Sequence, residues 1–139
     1  MFQRLLGLSV IAASSGLLGC GQTATPPPGK VRGTVTFQGR PLAGGLIVFA
    51  PDRDRGELGR AVSTTISQDG TYSLSLDGAA TVAPGWYRVA IADPPGVFTP
   101  EFGYPRFPTA LRRPDRSGLT REVKSNAENV FDFPIEVPQ

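Results

Sequence analysis

The stretch "VRGTVTFQGRPLAGGLIVFAP", residues 31–51, decides the fold. Its first seven residues alternate, with Val31, Gly33, Val35 and Phe37 on one side and Arg32, Thr34 and Thr36 on the other. That period of two marks a strand with one face buried. "QGRP" (38–41) is a turn in which Gly39 permits a tight reversal, and "GLIVFAP" (45–51) is a short apolar run suited to a buried sandwich strand. Downstream the same grammar recurs. "RAVSTTIS" (60–67) is a candidate strand, and "QDG" (68–70) is a turn signal in which Asp69 can bond backbone amides. "TYSLSL" (71–76) sets Tyr72, Leu74 and Leu76 to one side, and "PGWYRVAIAD" (84–93) does so with Tyr87, Val89 and Ile91. "LTREV" (119–123) and "NVFDFPIEV" (129–137) follow, the latter with Phe131, Phe133, Ile135 and Val137 on one face. Pro134 places that last strand at an edge or a bulge. No amphipathic helix longer than two turns stands out. The expectation is an all-β antiparallel sandwich of about seven strands.

Composition narrows the function. With 139 residues and 40% hydrophobic content, one domain can build its own core despite 17 glycines and 14 prolines. The formal charge of +2 comes without a dense basic stripe, so nucleic acid is not an expected partner. Histidine is absent from the sequence, which removes the commonest general base and metal ligand. The single cysteine, Cys20, has no intrachain partner.

Residues 1–19 read as a signal peptide. Arg4 supplies a positive start, and "LLGLSVIAASSGLLG" is an apolar run too short and too rich in small residues to span a bilayer comfortably. "LLGC" (Leu17 to Cys20) resembles the bacterial lipobox, with an aliphatic residue three before the cysteine and a small one just before it. That resemblance implies diacylglycerol transfer to the Cys20 sulfur, cleavage ahead of it and N-acylation, with Leu18 bulkier than usual at its position. A thiol is a natural nucleophile for thioether formation, and several acyl chains anchor far more firmly than one. Residues 20–29 then form a tether, since "TPPPG" stays extended. Gly21, where lipoproteins retained at the inner membrane often carry aspartate, favours the outer membrane.

Residues 30–139 form the remaining domain. "VRGTVTFQGRPLAGGLIVFAP", "SQDGTYSLSL" and "PGWYRVAI", in that order, resemble the carboxypeptidase regulatory-like domain. The likeness is carried by Gly33, Val35, Gly39, Pro41 and Leu42, then by Asp69, Gly70 and Tyr72, then by Pro84, Gly85 and Tyr87. "SGL" (117–119) and "NVFDF" (129–133) resemble the closing section of small lipoproteins carrying this domain. The resemblance implies a transthyretin-like (prealbumin) fold with an Ig-like Greek key, and a folding, binding or spacing module without chemistry of its own.

Enzymes with related folds rely on histidines, alone or with tyrosines, and no serine here sits in an elbow motif, so no catalytic residue, cofactor or metal is expected. Lys30 and either Asn126 or Asn129 could meet in a self-formed isopeptide bond, as in the B-repeat domains of collagen-binding adhesins. The alternative is a solvated lysine and turn asparagines. "PDRDRGE" (51–57) is faintly like a calcium loop, but Arg53 and Arg55 neutralise its carboxylates, and it reads as a solvated hairpin loop. The long "DPPGVFTPEFGYPRFPTALRRPDRSG" (93–118) carries Phe98, Phe102, Tyr104 and Arg106. With Trp86 they are the candidate ligand or partner contacts, unless the loop is a lid burying its aromatics. The chain is therefore expected to be a non-catalytic lipoprotein, held on a membrane and displaying a β-sandwich for envelope structure or protein contact. The alternative is a module that binds carbohydrate or another small ligand.

Overall fold

A computed structural model describes residues 25–75, 78–79, 81–92 and 108–138. The signal segment, Cys20, Phe98, Phe102, Tyr104 and Arg106 lie outside the described residues. The described residues form nine strands. They are β1 (Lys30–Phe37), β2 (Arg40–Pro41), β3 (Leu46–Pro51), β4 (Val62–Thr65), β5 (Thr71–Ser73), β6 (Gly85–Ala92), β7 (Leu119–Val123), β8 (Glu128–Val130) and β9 (Phe133–Ile135). Among the described residues, the 3-10 turns Arg53–Arg55 and Thr109–Arg112 interrupt the β structure.

One sheet runs β4-β3-β6-β7 and is antiparallel throughout. In the other, β1 is the central strand. Its odd-numbered residues turn their backbone groups to antiparallel neighbours, as when Val31 accepts from the Leu74 N–H and Val35 from the Leu42 N–H. Its even-numbered residues turn to β8 and β9, which run parallel to it. The sandwich is as the alternation predicts, with nine strands among the described residues; the difference from an antiparallel expectation is this mixed sheet.

The reason lies in two local events. β7 ends at Val123 beside Gly29, and residues 124–127 cross there to the other sheet, so β8 starts next to the start of β1 and runs the same way. Starting beside the start of β1 and running the same way makes this pairing parallel. The segment read as one last strand also breaks between Val130 and Phe133. The Thr34 N–H and hydroxyl go to the Asp132 carboxylate at 3.0 and 2.9 Å, replacing a backbone rung. Pro134 follows in β9 opposite Thr36, consistent with a bulged edge.

The predicted inward faces meet in the core. Phe49 sits at its centre, with the rings of Tyr72, Tyr87, Phe131 and Phe133 between 6.1 and 6.3 Å away. Tilted and edge contacts, with Phe131 stacked on Phe49, suit the ring quadrupoles. Val31, Val35, Ile47, Leu74, Val89 and Ile91 close the space around them. The two tyrosines reach its margin, where their hydroxyls donate to the Phe131 carbonyl (2.6 Å) and the Ala83 carbonyl (2.7 Å).

Candidate functional site

The tether reaches the domain at the start of β1. Gly29 exchanges two backbone hydrogen bonds with Val82, at 2.9 and 2.7 Å. The Pro28 carbonyl accepts from the Asn126 N–H at 3.2 Å. Asn129 completes the joint: its Oδ1 accepts from the Lys124 N–H (2.9 Å), and its amide nitrogen donates to the carbonyls of Lys30 (3.0 Å) and Lys124 (3.1 Å). With 8% exposure, Asn129 is a buried staple rather than a turn asparagine. It meets the backbone of Lys30, whose side chain points to solvent, so the carboxamide an isopeptide bond would consume is committed to holding the strand. Asn126, with φ of +51°, is a turn asparagine.

Trp86 lies at this same end of the sandwich. It is the second residue of β6, opposite Glu122 of β7, and its ring is half-buried on the face away from Tyr87. Ala92, the last described residue before 93–107, is six residues further along β6, about 20 Å at strand rise. Phe98, Phe102, Tyr104 and Arg106, the residues expected to group with Trp86, lie outside the described residues.

Among the described residues, the loop after β3 gathers around Trp86. The backbone of Trp86 is gripped from both sides: its N–H donates to Glu57 Oε1 (3.0 Å) and its carbonyl accepts from the Asp52 N–H (2.9 Å). The Arg55 guanidinium lies 4.0 Å from the centroid of the indole ring, within reach of a cation–π attraction. Asp52 is only 3% exposed and is the hub. Its carboxylate pairs with Arg88 Nε at 3.0 Å and Arg55 Nε at 3.3 Å, and accepts from the Asp54 N–H as the cap of the 3-10 turn. Arg88 also donates to the Asp54 carboxylate, and that bond, with the charges of both aspartates, holds its guanidinium above the usual arginine range. Beyond Arg88 the surface dips into a shallow cleft of about 320 Å³ between Pro51, Asp54, Pro114 and Asp115.

The reading of 51–57 as a solvated loop holds for Arg53 to Gly56, which are exposed, and is corrected at Asp52. Asp52 is buried because both its oxygens have cationic partners, and a buried charge persists only when so matched. Its neighbours Arg53 and Arg55 gave the signal of charge balance, but of its two cationic partners only Arg55 is local, and Arg88 lies on another strand. Among the described residues no group of three or more carboxylate, cysteine or histidine side chains is placed to hold a metal ion, and no helix is long and apolar enough to cross a membrane.

Comparison with known proteins gives no family for the chain: no family model matches it, and no curated protein does. Among solved structures it is similar to a DUF3823 family protein from Parabacteroides merdae, with 19% identity and a TM-score of 0.42, over 78% of this chain. The chain spans 46% of that protein, less than half its length. It is also similar to the dioxygenase domain of a dioxygenase carbohydrate-binding protein fusion from the cellulolytic bacterium Streptomyces sp. SirexAA-E. There the identity is 23% and the TM-score 0.42, over 84% of this chain and 85% of the other. Likeness at this level assigns no activity to the chain.

Proposed function

We propose that the chain is a lipid-anchored envelope protein, held through Cys20 on the outer membrane, which works by displaying its β-sandwich for structural or protein contact rather than by catalysis. One observation supports this reading above the rest. The proline-rich tether is stapled by Asn129, Val82 and Asn126 to the start of β1, the central strand of its sheet. An anchor attached there loads the best-paired strand of its sheet.

Metabolic labelling of the full chain with an alkyne fatty acid tests the anchor. Label and membrane fractionation should both be lost in Cys20→Ser. Equal labelling of that variant, or a soluble wild type, overturns the reading.

A second reading, carbohydrate binding, draws on Trp86, which keeps part of its ring at the surface beside the Asp54–Arg88 cleft. Retention on immobilised glycan that falls at least tenfold in Trp86→Ala, with folding unchanged, favours it; retention equal to the variant's counts against it.

A further inference from the structure

The sandwich has four sheet edges, and they are not equally protected. β7 carries Arg121 and Glu122. The β8–β9 edge carries Glu128 and Asp132, is broken at Phe131, and has Pro134, which cannot donate. β5 is three residues long, and the polar groups of Thr71 are already used, its carbonyl by the Ser67 N–H and its N–H by Asp69. Charge, proline and shortness are the usual protections of an exposed edge.

β4, four residues long, has neither charge nor proline. Residues 61–68, "AVSTTISQ", contain no charge and no proline. The Ile66 N–H donates to Gly45 and its carbonyl accepts from Gly44, so the backbone of Ile66 faces β3. By strand alternation Thr64 and Val62 face β3 as well, and Ser63 and Thr65 turn their N–H and C=O outward. Among the described residues, no hydrogen bond outside the β3 ladder uses those four groups. Both side chains are exposed, whereas Val62 and Ile66 point into the core.

From this we infer that β4 is an interaction edge that pairs antiparallel with β4 of a second copy of this chain. The pattern is its own complement. A two-fold axis through Thr64 sets Ser63 opposite Thr65 of the copy, and Thr65 opposite its Ser63, so that four N–H···O=C bonds form. Val62 then faces Ile66 of the copy on the inner side, continuing both apolar layers. No charge meets its like anywhere along 61–67, a condition that β7 and β8–β9 fail when opposed to themselves. A small patch of this kind suits copies held at high local concentration rather than free in dilute solution.

The register makes the test specific. Thr64 on the axis is a non-hydrogen-bonded pair, with Cα atoms about 4.5 Å apart, inside the range a disulfide spans. The full chain carrying Thr64→Cys, oxidised in membranes, should give a covalent dimer on a non-reducing gel. The parent, whose only cysteine is Cys20, and a Ser73→Cys control on the β5 edge should not. Adding Ser63→Lys with Thr65→Lys sets lysine against lysine twice and should cut the dimer about tenfold. Ser63→Lys with Thr65→Glu sets opposite charges face to face and should restore it. Melting temperatures of both charge variants should match the Thr64→Cys parent. No dimer from Thr64→Cys overturns the pairing, as does a cross-link to a chain of different mass. A dimer yield indifferent to the two lysines overturns it equally.

Discussion

The hydroxyl of Tyr72 donates to the carbonyl of Phe131 at 2.6 Å, across the backbone of Gly33. That bond locks the break between β8 and β9. The Phe131 carbonyl leaves the ladder, passes over Gly33, and is satisfied by a phenol arriving from β5. Three residues far apart in the chain thus fix one kink, and each makes a separate demand.

Gly33 is demanded by space. A methyl group there would sit 1.8 Å from the Phe131 oxygen and 3.0 Å from the Tyr72 hydroxyl. Gly33→Ala should cost more than about 3 kcal/mol, in the range of severe overpacking, as measured by urea unfolding. Gly39→Asn is the contrast. Its φ of +76° suits asparagine and nothing lies within 4 Å, so its cost should stay below about 1 kcal/mol.

Tyr72 and Tyr87 make the fold sensitive to alkali. Burial, reinforced at Tyr72 by the charge of Asp132 and at Tyr87 by that of Glu57, raises both phenols above their ordinary value near 10. A folded value raised above the unfolded one means that the unfolded chain releases its proton first. This stabilisation is complete below about pH 10 and is lost as pH rises beyond it, by up to about 1.4 kcal/mol per pH unit for each tyrosine. Tyr72→Phe should lose about 1 kcal/mol at neutral pH through the orphaned carbonyl, yet show a shallower decline between pH 10 and 12 in thermal melts.

Asn129 is the joint between tether and fold. Asn129→Ala strands the carbonyls of Lys30 and Lys124 and the Lys124 N–H together, which should cost about 3 kcal/mol. Intact-mass measurement of the wild type should show no loss of ammonia, since its carboxamide is held by backbone groups.

Trp86, the only tryptophan, reports on the loop above it. Arg55→Ala removes the guanidinium from the ring face, so its emission should shift to the red and acrylamide should quench it more strongly, while stability falls by no more than about 1 kcal/mol. Asp52→Asn leaves Arg88 and Arg55 without their shared carboxylate and should cost about 2 kcal/mol in urea unfolding, with the same red shift. An unchanged spectrum in both variants would separate Trp86 from this network.

How much of this was legible depends on how local its cause is. Alternation in 31–37, 71–76 and 84–93 follows from the period of a strand, so the inward faces of Val31, Val35, Tyr72, Tyr87 and Val89 could be read directly, as could the turns at Gly39 and Asp69. The roles of Asp52 and Asn129 could not. An aspartate in "PDRDRGE" and an asparagine in "AENVFDF" look like loop residues until the fold brings Arg88 to one and the Lys30 carbonyl, 99 positions away, to the other.

By itself the sequence determined the all-β class, the core faces of most strands and the prominence of Cys20, because periodicity and short motifs are properties of neighbouring residues. Tertiary structure alone decided that β1 is central with parallel partners, that Trp86 sits at the tether end, and that β4 has an uncharged edge left unpaired among the described residues. Those outcomes depend on which strands become neighbours, and the 124–127 crossover and the Gly33–Phe131 contact set that only once the whole chain has closed on itself.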